Sequence, residues 1–545
     1  MIHVPKSAET STSTSTSLEA TPGELTPSVP HREASTVRER PLPRRPRSRA
    51  ALRWIAIAGV LLGIEFIYVF IVSAGKYVDW PTYNFNYDMQ AEGFRKGHLY
   101  LPLEPPAELL AKENPLDPAN ADLWFADLSF YKGKYYMYWG PLPALALAAI
   151  KAIMKIATPV GDQYPVFILY SIYLVAGALL IDRVARRLFP GLPLYLVVMA
   201  ILVFAFAHPT PYMIATPGIY EAAIGGSQAF LLVGLIFAFD TLSGKRAYLV
   251  VRLLAASVAW TLAITCRVGA GPAAAMLVLL TALVPRPHPG NRWLAVLRNL
   301  VCLGTPMALG VFGLLYYNRA RFDEWFEFGT NWMLNTVHIR ASFEYVVPNL
   351  YSYFFRPPVE SCQFPFLTSP WNMNVSEAFP SDFRLPHGYW VQEPVVGMFR
   401  VAPWTWLLPV AVLCGVHAAL PRFGAAGLPS LGVVRGSRLW CACSFGVLAT
   451  VPALPSIGVF GATMRYLADI AAGLLLLVTW GAWSFLRHIR RKKWTRRAVG
   501  AGLSVLAAGT IMLGLLIGYQ GYIGHFQTYN PKLHEQVARS LSLCK

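Results

Sequence analysis

Apolar runs of about 18–22 residues recur from Leu52 onward, broken by short polar and basic connections. At 1.5 Å rise per residue, each is long enough as a helix for a hydrocarbon core of ~30 Å. A 20-residue window places roughly eleven spans, near 54–74, 164–182, 192–208, 219–240, 249–266, 269–285, 297–317, 401–420, 438–455, 466–486 and 498–518. The pattern predicts an all-α polytopic membrane protein. Its membrane domain covers residues 51–518, and a tail covers 519–545.

The polar connections orient these spans. Arg183, Arg186–Arg187, Lys245–Arg246, Arg286 to Arg292, Arg422 to Arg438 and the run Arg487 to Lys493 all fall on one side. By the positive-inside rule that side is cytoplasmic. Two long loops, about 75–163 and 318–400, then face outward together with the C-terminal tail. Loops of this length between membrane helices are uncommon unless functional, and these are rich in Trp, Tyr, Phe and Pro. They define the working face of the protein. One stretch, 141–157, leaves two readings open. It is apolar but opened by Pro141 and Pro143, with Lys151 and Lys155 on one face. A full crossing would move every later charge cluster to the wrong side, which favours an interfacial helix with snorkelling lysines.

Residues 1–50 carry the alternating Ser/Thr run Ser11 to Ser17 and a Pro/Arg-rich stretch. Such a segment is expected to be a disordered, basic, cytoplasmic tail. It does not have the form of a signal peptide, because the first apolar run starts late and is long.

Composition agrees with the pattern. Of 545 residues 55% are hydrophobic and 14% charged, and the mean hydropathy is +0.42. The net charge of +18 resides in the inter-helix clusters and suits anionic lipid rather than nucleic acid. Among seven cysteines, Cys266, Cys302, Cys414, Cys441 and Cys443 lie in or at apolar segments and read as small core residues. Cys362 and Cys544 fall on the outer side, which leaves a bond between them open without requiring one.

The chemistry concentrates in the first outer loop, where Tyr87-Asp88 and Gly97-His98-Leu99-Tyr100 are followed by Asp127 and Gly133-Lys134-Tyr135-Tyr136-Met137-Tyr138-Trp139-Gly140-Pro141. These stretches, with Tyr317-Asn318-Arg319-Ala320-Arg321-Phe322, Phe326 to Gly329, Asn349 to Tyr353, Phe364-Pro365-Phe366 and Arg465-Tyr466-Leu467-Ala468-Asp469, resemble GT-C-type membrane glycosyltransferases of bacteria. The family 39 and mannosyltransferase-like enzymes are among them. The resemblance covers roughly residues 75–490. It implies a GT-C-like bundle in the bacterial inner membrane. Such an enzyme transfers a hexose or pentose from a polyprenyl-phosphate sugar to a lipid, glycan or protein acceptor at the outer face. It also implies that an aspartate of the first outer loop is the base or orients the acceptor. Some members use a divalent metal and others do not. This chain has Gly140-Pro141-Leu142-Pro143 where many relatives carry His-Pro-Pro or Lys-Pro-Pro, so contacts made by that His or Lys do not carry over.

Glycosyl transfer needs a carboxylate to take the acceptor proton while the anomeric carbon gains positive charge. Asp88 is the first candidate, against an alternative as a turn or helix cap. Asp127 is the second; it assists the acceptor, shares a metal with Asp88, or caps the following turn. Glu92 shares a helical face with Asp88 or pairs with Lys96. The leaving lipid phosphate calls for cationic donors, and Arg95, Lys96, Arg319, Arg321 and Arg465 are the candidates. Arg465 is the sharpest; its alternatives are snorkelling or a pair with Asp469. Arg267, Glu65 and Glu221 are charges at membrane depth, either paired or lining a cavity. Trp80, Trp124, Trp139, Trp332, Trp371, Trp390 and Trp404 stack on sugars or, more commonly, anchor the interface. His208 and His338 lack a second ligand at metal spacing, so the sequence requires no metal. No Walker loop, dinucleotide fingerprint or nucleophile elbow appears. Two other functions use the same bundle. A flippase for a lipid-linked glycan requires paired broken helices or repeats, which the sequence does not show. A non-catalytic glycan-binding partner would keep the loops and dispense with Asp88.

Overall fold

The structure, a computed structural model, describes residues 47–242, 248–284, 291–335, 340–369, 379–380, 383–389, 394–419, 429–489, 493–522 and 524–544. It divides into two compact units, 1–52 and 53–545. Of the first, only 47–52 are described, as helix, so the expected tail lies almost wholly outside the described residues. So do Trp371, Trp390 and His338, most of the basic run 286–292, and residues 422–428 of the run 422–438.

The helices, in chain order, are α1 (Arg47–Val72), α2 (Asn86–Arg95), α3 (Leu142–Met154), α4 (Gln163–Leu188), α5 (Leu194–Phe206), α6 (Ile219–Thr241), α7 (Leu249–Cys266), α8 (Gly271–Leu283), α9 (Arg292–Phe322), α10 (Val346–Phe354), α11 (Leu408–Ala419), α12 (Pro429–Thr450), α13 (Met464–His488), α14 (Lys493–Gln520) and α15 (Pro531–Leu541). Shorter turns connect them, and among the described residues strand forms two small hairpins. The chain is an all-α polytopic membrane protein. Among the described residues eight helices are long and apolar enough to cross a membrane: α1, α4, α6, α7, α9, α12, α13 and α14. The other three expected spans are helical but shorter: Leu194–Phe206, Val268–Leu283 and Pro403–Ala419. Proline and glycine at their ends shorten them. Pro193 precedes α5, Gly271-Pro272 opens α8, and Pro403 starts a 3-10 turn ahead of α11.

The most buried members are α6 and α13, each with 83% of its apolar window inside the bundle. Small residues let their neighbours approach. A side chain at Gly473 of α13 would collide with the backbone of Leu448 and Ala449 on α12. Apolar contact alone drives little association in lipid, so close backbone approach of this kind carries much of the helix pairing. Trp260, Trp404, Trp440, Trp480 and Trp483 are fully buried. Trp404, read from sequence as an interfacial residue, instead donates its indole N–H to Thr479 inside the bundle at 3.2 Å. Glu65 is half-buried within α1 and accepts from Ser171 Oγ at 2.9 Å.

The ends of the bundle differ. At one end Arg53 and Arg186 hold Asp182, Arg183 and Arg187 hold Asp240, and Arg438 and Arg487 donate to the carbonyl of Leu188. At the other end lie the starts of α4, α6 and α13 and the finish of α7. Helix α3 belongs wholly to that second end. A side chain at Gly140, just before it, would meet the carbonyls of Thr265 and Cys266 at the finish of α7. Lys151, near its finish, reaches Asp88 on α2. At 13 residues α3 is ~20 Å long, too short to cross, and the charge clusters keep their sides.

The two long loops and the tail are joined. The hairpin β1 (Ser129–Tyr131) and β2 (Lys134–Tyr136) bridges to Met333 beyond α9. Leu334 N–H donates to Leu128 O at 2.8 Å. In the tail, His525 contacts Tyr83 Oη and Ile71 O, both at 2.8 Å. A disulfide links Cys362 to Cys544, which resolves the pairing that the sequence left open. Cys266 and Cys441 are buried in the bundle as expected.

Gly473→Ala is expected to lower the thermal midpoint of the detergent-solubilised chain, because overpacking costs ~1–3 kcal/mol. An unchanged melting curve, followed by tryptophan fluorescence, would show that α12 and α13 do not approach this closely.

Candidate active site

Helix α2 is amphipathic, with Tyr87, Asp88, Gln90, Ala91 and Gly93 buried. Its buried face packs on α3, which brings the one buried lysine of α3 to two carboxylates. Lys151 Nζ lies 2.6 Å from Asp88 Oδ1 and 2.8 Å from Glu92 Oε1. Asp88 Oδ1 also accepts from Val160 N–H at 3.1 Å. Lys151 is therefore not a snorkelling residue, as its spacing suggested. Its side chain is 1% exposed, and burial works against its charge. The hydrogen bonds it donates to Asp88 and Glu92 outweigh that cost and raise its pKa above the usual lysine value. Glu92 is held below the usual carboxylate range, chiefly by its hydrogen bond to Lys151 and also by Arg95. It does not pair with Lys96.

Behind Asp88 stands a residue the sequence reading did not single out. Asp162 precedes α4, is fully buried, and accepts from Tyr87 N–H at 3.1 Å. Its second oxygen has no hydrogen-bond partner. Burial pushes its carboxyl up to about 8, with the charges of Asp88 and Glu221 adding to the effect. Tyr87 separates this acidic group from a second one. Its hydroxyl donates to Ile219 O at 3.1 Å, and its ring lies within electrostatic reach of Glu221 and Arg267.

The second group is an aromatic basin with cations on its walls. Tyr138 and Tyr220 share a hydrogen bond of 2.9 Å. Trp139 packs on Tyr138 and on Tyr220, with ring centroids 4.9 and 4.7 Å apart. Arg465 lies over the Tyr220 ring at 3.8 Å. Arg267 faces Trp139 at 5.6 Å and Tyr466 at 5.8 Å, and donates to Asp469 at 2.8 Å. Asp469 therefore serves Arg267 rather than Arg465. The Nη1 atom of Arg267 is buried without a partner. Asp127 is half-buried with its backbone in the left-handed region, φ 62, a conformation that aspartate tolerates better than most residues. It is within hydrogen-bonding reach of Tyr220. Burial raises the Tyr138 hydroxyl well above its ordinary value, with Tyr220 and Asp127 adding to the shift and Arg465 opposing it.

Asp127, Arg465, Tyr138 and Tyr220 thus form one cluster, and Asp88, Glu92 and Lys151 form another. The remaining sequence candidates are placed differently. Arg321 is buried, donates to Met137 O and Asn318 Oδ1, and lies over the Tyr317 ring at 4.0 Å. Its guanidinium supports the strand leading to Tyr138. Arg95 is bound to Glu92 at 2.7 Å. Arg319 and Lys96 are exposed. Among the described residues no group of three or more His, Cys, Asp or Glu could hold a metal ion, and Asp88 already faces an ammonium. No step is derived through a metal.

No family model and no curated protein sequence matches this chain. Among solved structures it is similar to the apo oligosaccharyltransferase of Archaeoglobus fulgidus, at 12% identity and a TM-score of 0.42, covering 86% of this chain and 56% of that one. It is similar also to AglB of the same organism in complex with an inhibitory peptide and a dolichol-phosphate, at 11% identity and a TM-score of 0.41, covering 85% of this chain and 56% of that one. A third similar structure is the same oligosaccharyltransferase tethered with an acceptor peptide, at 11% identity and a TM-score of 0.40, covering 86% and 55%. The chain spans little more than half the length of these proteins. A likeness this loose assigns neither a family nor an activity to it.

Two predictions follow from the acidic group. Lys151→Met leaves Asp88 buried without its counter-charge, a change of ~3–5 kcal/mol. It is expected to lower the thermal midpoint sharply, and adding Asp88→Asn should restore part of the loss. The raised carboxyl of Asp162 means that the folded state binds a proton that the unfolded state releases near pH 4. Its contribution to stability is present at low pH and is lost as pH rises towards about 8. Asp162→Asn removes this titration, so the variant should gain on the wild type as pH rises from 5 to 8.5 in a series of melting curves. A constant difference between the two would show that Asp162 does not titrate in that window.

Proposed function

We propose that this protein is a GT-C-type glycosyltransferase. It takes a sugar from a polyprenyl-phosphate donor and passes it to a lipid, glycan or protein acceptor at the outer face of a bacterial inner membrane. The observation that carries this reading is the presence of two groups at one end of an apolar bundle: carboxylates held by Lys151, and arginines on aromatic faces. A lipid-linked sugar phosphate needs both, a base for the acceptor and cations for the leaving phosphate, within reach of the membrane. The disulfide at that end supports an oxidising, outward-facing compartment. The arginines at the opposite end support a cytoplasmic side.

In this mechanism Asp88 takes the proton from the acceptor hydroxyl or amide. The freed acceptor atom bonds to the anomeric carbon as the bond from that carbon to the phosphate oxygen breaks, inverting the centre. The polyprenyl phosphate leaves with the bonding pair, and Arg465 and Arg267 receive its charge. Arg267 has a buried donor atom with no partner of its own for this purpose. Stacking suits Arg267 to the task, because cation–π contact engages the face of its guanidinium and not its N–H edge. The aromatic walls provide faces for the sugar. Asp127 is the rival base, since it lies in the basin itself while Asp88 is engaged by Lys151.

The test is transfer of labelled sugar from synthetic polyprenyl-phosphate donors by purified protein in lipid. Asp88→Asn is expected to lower turnover by ~100- to 10,000-fold, the range of a positioned base, with donor binding retained. Full turnover in that variant together with its collapse in Asp127→Asn would move the base to Asp127. Full turnover in both variants would remove the carboxylate mechanism.

A further inference from the structure

At the end of the bundle opposite Asp88, the structure contains a cavity that the proposed reaction does not use. Helix α4 is 26 residues long, ~39 Å at 1.5 Å per residue, and the cavity lies at its far end. It is lined by Phe189, Leu192, Leu196, Trp483, Arg487 and Arg496, among others. Four elements form it: the turn through Gly191 that follows α4, the start of α5, the finish of α13 and the start of α14. The turn reverses the chain at Gly191, where φ is 85. Phe189 and Trp483 meet edge to face at 5.6 Å and make an apolar floor.

The two arginines of this cavity differ from four others at the same end. Arg53, Arg183, Arg186 and Arg187 all have carboxylate partners in Asp182 or Asp240. Arg487 spends one N–H on Leu188 O at 2.8 Å. Neither it nor the exposed Arg496 is paired with a carboxylate among the described residues. The result is an apolar slot between helices with two uncompensated guanidiniums at its mouth. Tyr195 and Trp494, 57% and 82% exposed, stand beside it. Tyrosine and tryptophan at helix ends mark the level where hydrocarbon gives way to headgroups. The sequence places Arg490, Arg491 and Lys492 immediately after this point.

We propose that this cavity binds an anionic phospholipid as a resident lipid. The phosphate sits between Arg487 and Arg496, and the glycerol and the first part of an acyl chain lie against Leu192, Leu196 and Trp483. Basic pockets between membrane helices select anionic headgroups in this way, and the apolar floor distinguishes a lipid from a free anion. The site is remote from the proposed donor site and does not depend on it.

The test uses the full chain in nanodiscs of phosphatidylcholine, alone or mixed equally with phosphatidylglycerol. Native mass spectrometry counts the lipids retained after transfer to detergent. The wild type is expected to retain phosphatidylglycerol and to melt higher in the mixed discs. Arg496→Gln, which loses no contact within the protein, should reduce phosphatidylglycerol retention about fivefold and leave phosphatidylcholine retention unchanged. Arg292→Gln, which removes a charge from the same end outside the cavity, should behave as wild type. Equal retention in Arg496→Gln and wild type would overturn the site. An equal loss in Arg292→Gln would reduce the effect to general surface charge. Displacement of the lipid by inorganic phosphate alone would show a free-anion site instead.

Discussion

An ammonium group at 1% exposure is tolerable only if carboxylates meet it at hydrogen-bond distance, and this constraint organises the working end of the molecule. Lys151 enters from α3, a helix too apolar to remain in water and too short to cross a membrane. Asp88 and Glu92 enter from successive turns of α2. The three charged groups therefore fasten two short helices to each other. Once α2 is fixed, Tyr87 is fixed with it. Its backbone N–H meets Asp162 ahead of α4, and its hydroxyl meets Ile219 at the start of α6. One buried cation thus sets the position of the candidate base against two of the long helices.

Burial divides the acidic residues of this region by partner. Asp88 and Glu92 have an ammonium. Asp162 has only backbone N–H groups, and its carboxyl is pushed up to about 8. Asp162 is thus driven towards its neutral form, by burial first and by the negative charges of Asp88 and Glu221 after it. A neutral carboxyl in that place limits repulsion in a small volume, because a buried unpaired anion is costly.

The membrane architecture was legible in the sequence because its signal is one-dimensional. Window hydropathy and the placement of Arg and Lys depend on neighbours along the chain, so the helical stretches and their alternation were readable. Helix length was less so. Pro193, Gly271-Pro272 and Pro403 cut three expected spans short, and an averaging window smooths over such ends. The site was legible only in part. Asp88, Asp127 and Arg465 stood out by type and position. Lys151 was noticed, but its face was assigned to lipid, since periodicity shows that a side is polar and not what meets it. Asp162 and the partnership of Arg267 with Asp469 were out of reach, because each joins residues far apart in the chain. The same reason explains Arg321. Its sequence context suits a phosphate-binding cation, yet its Nη1 and Nη2 atoms donate within the protein to Met137 and Asn318.

The two ends of the bundle show how one residue type is given two tasks. At the end with Asp182 and Asp240, most arginines are consumed by carboxylates or by the last carbonyl of α4, where the helix dipole also favours a positive charge. Those held by Asp182 and Asp240 act as fasteners. At the other end Arg465 lies on Tyr220, and Arg267 lies between Trp139 and Tyr466. A ring engages the face of a guanidinium and cannot accept its in-plane hydrogen bonds. The cation is thus stabilised in a poorly solvated place without its edge being used up by the ring. Arg267 illustrates the outcome, with Nη2 on Asp469 and Nη1 buried without a partner. An anionic group entering the basin would meet a donor already desolvated and already oriented. Preorganisation of that kind is most valuable where charge develops on a leaving phosphate.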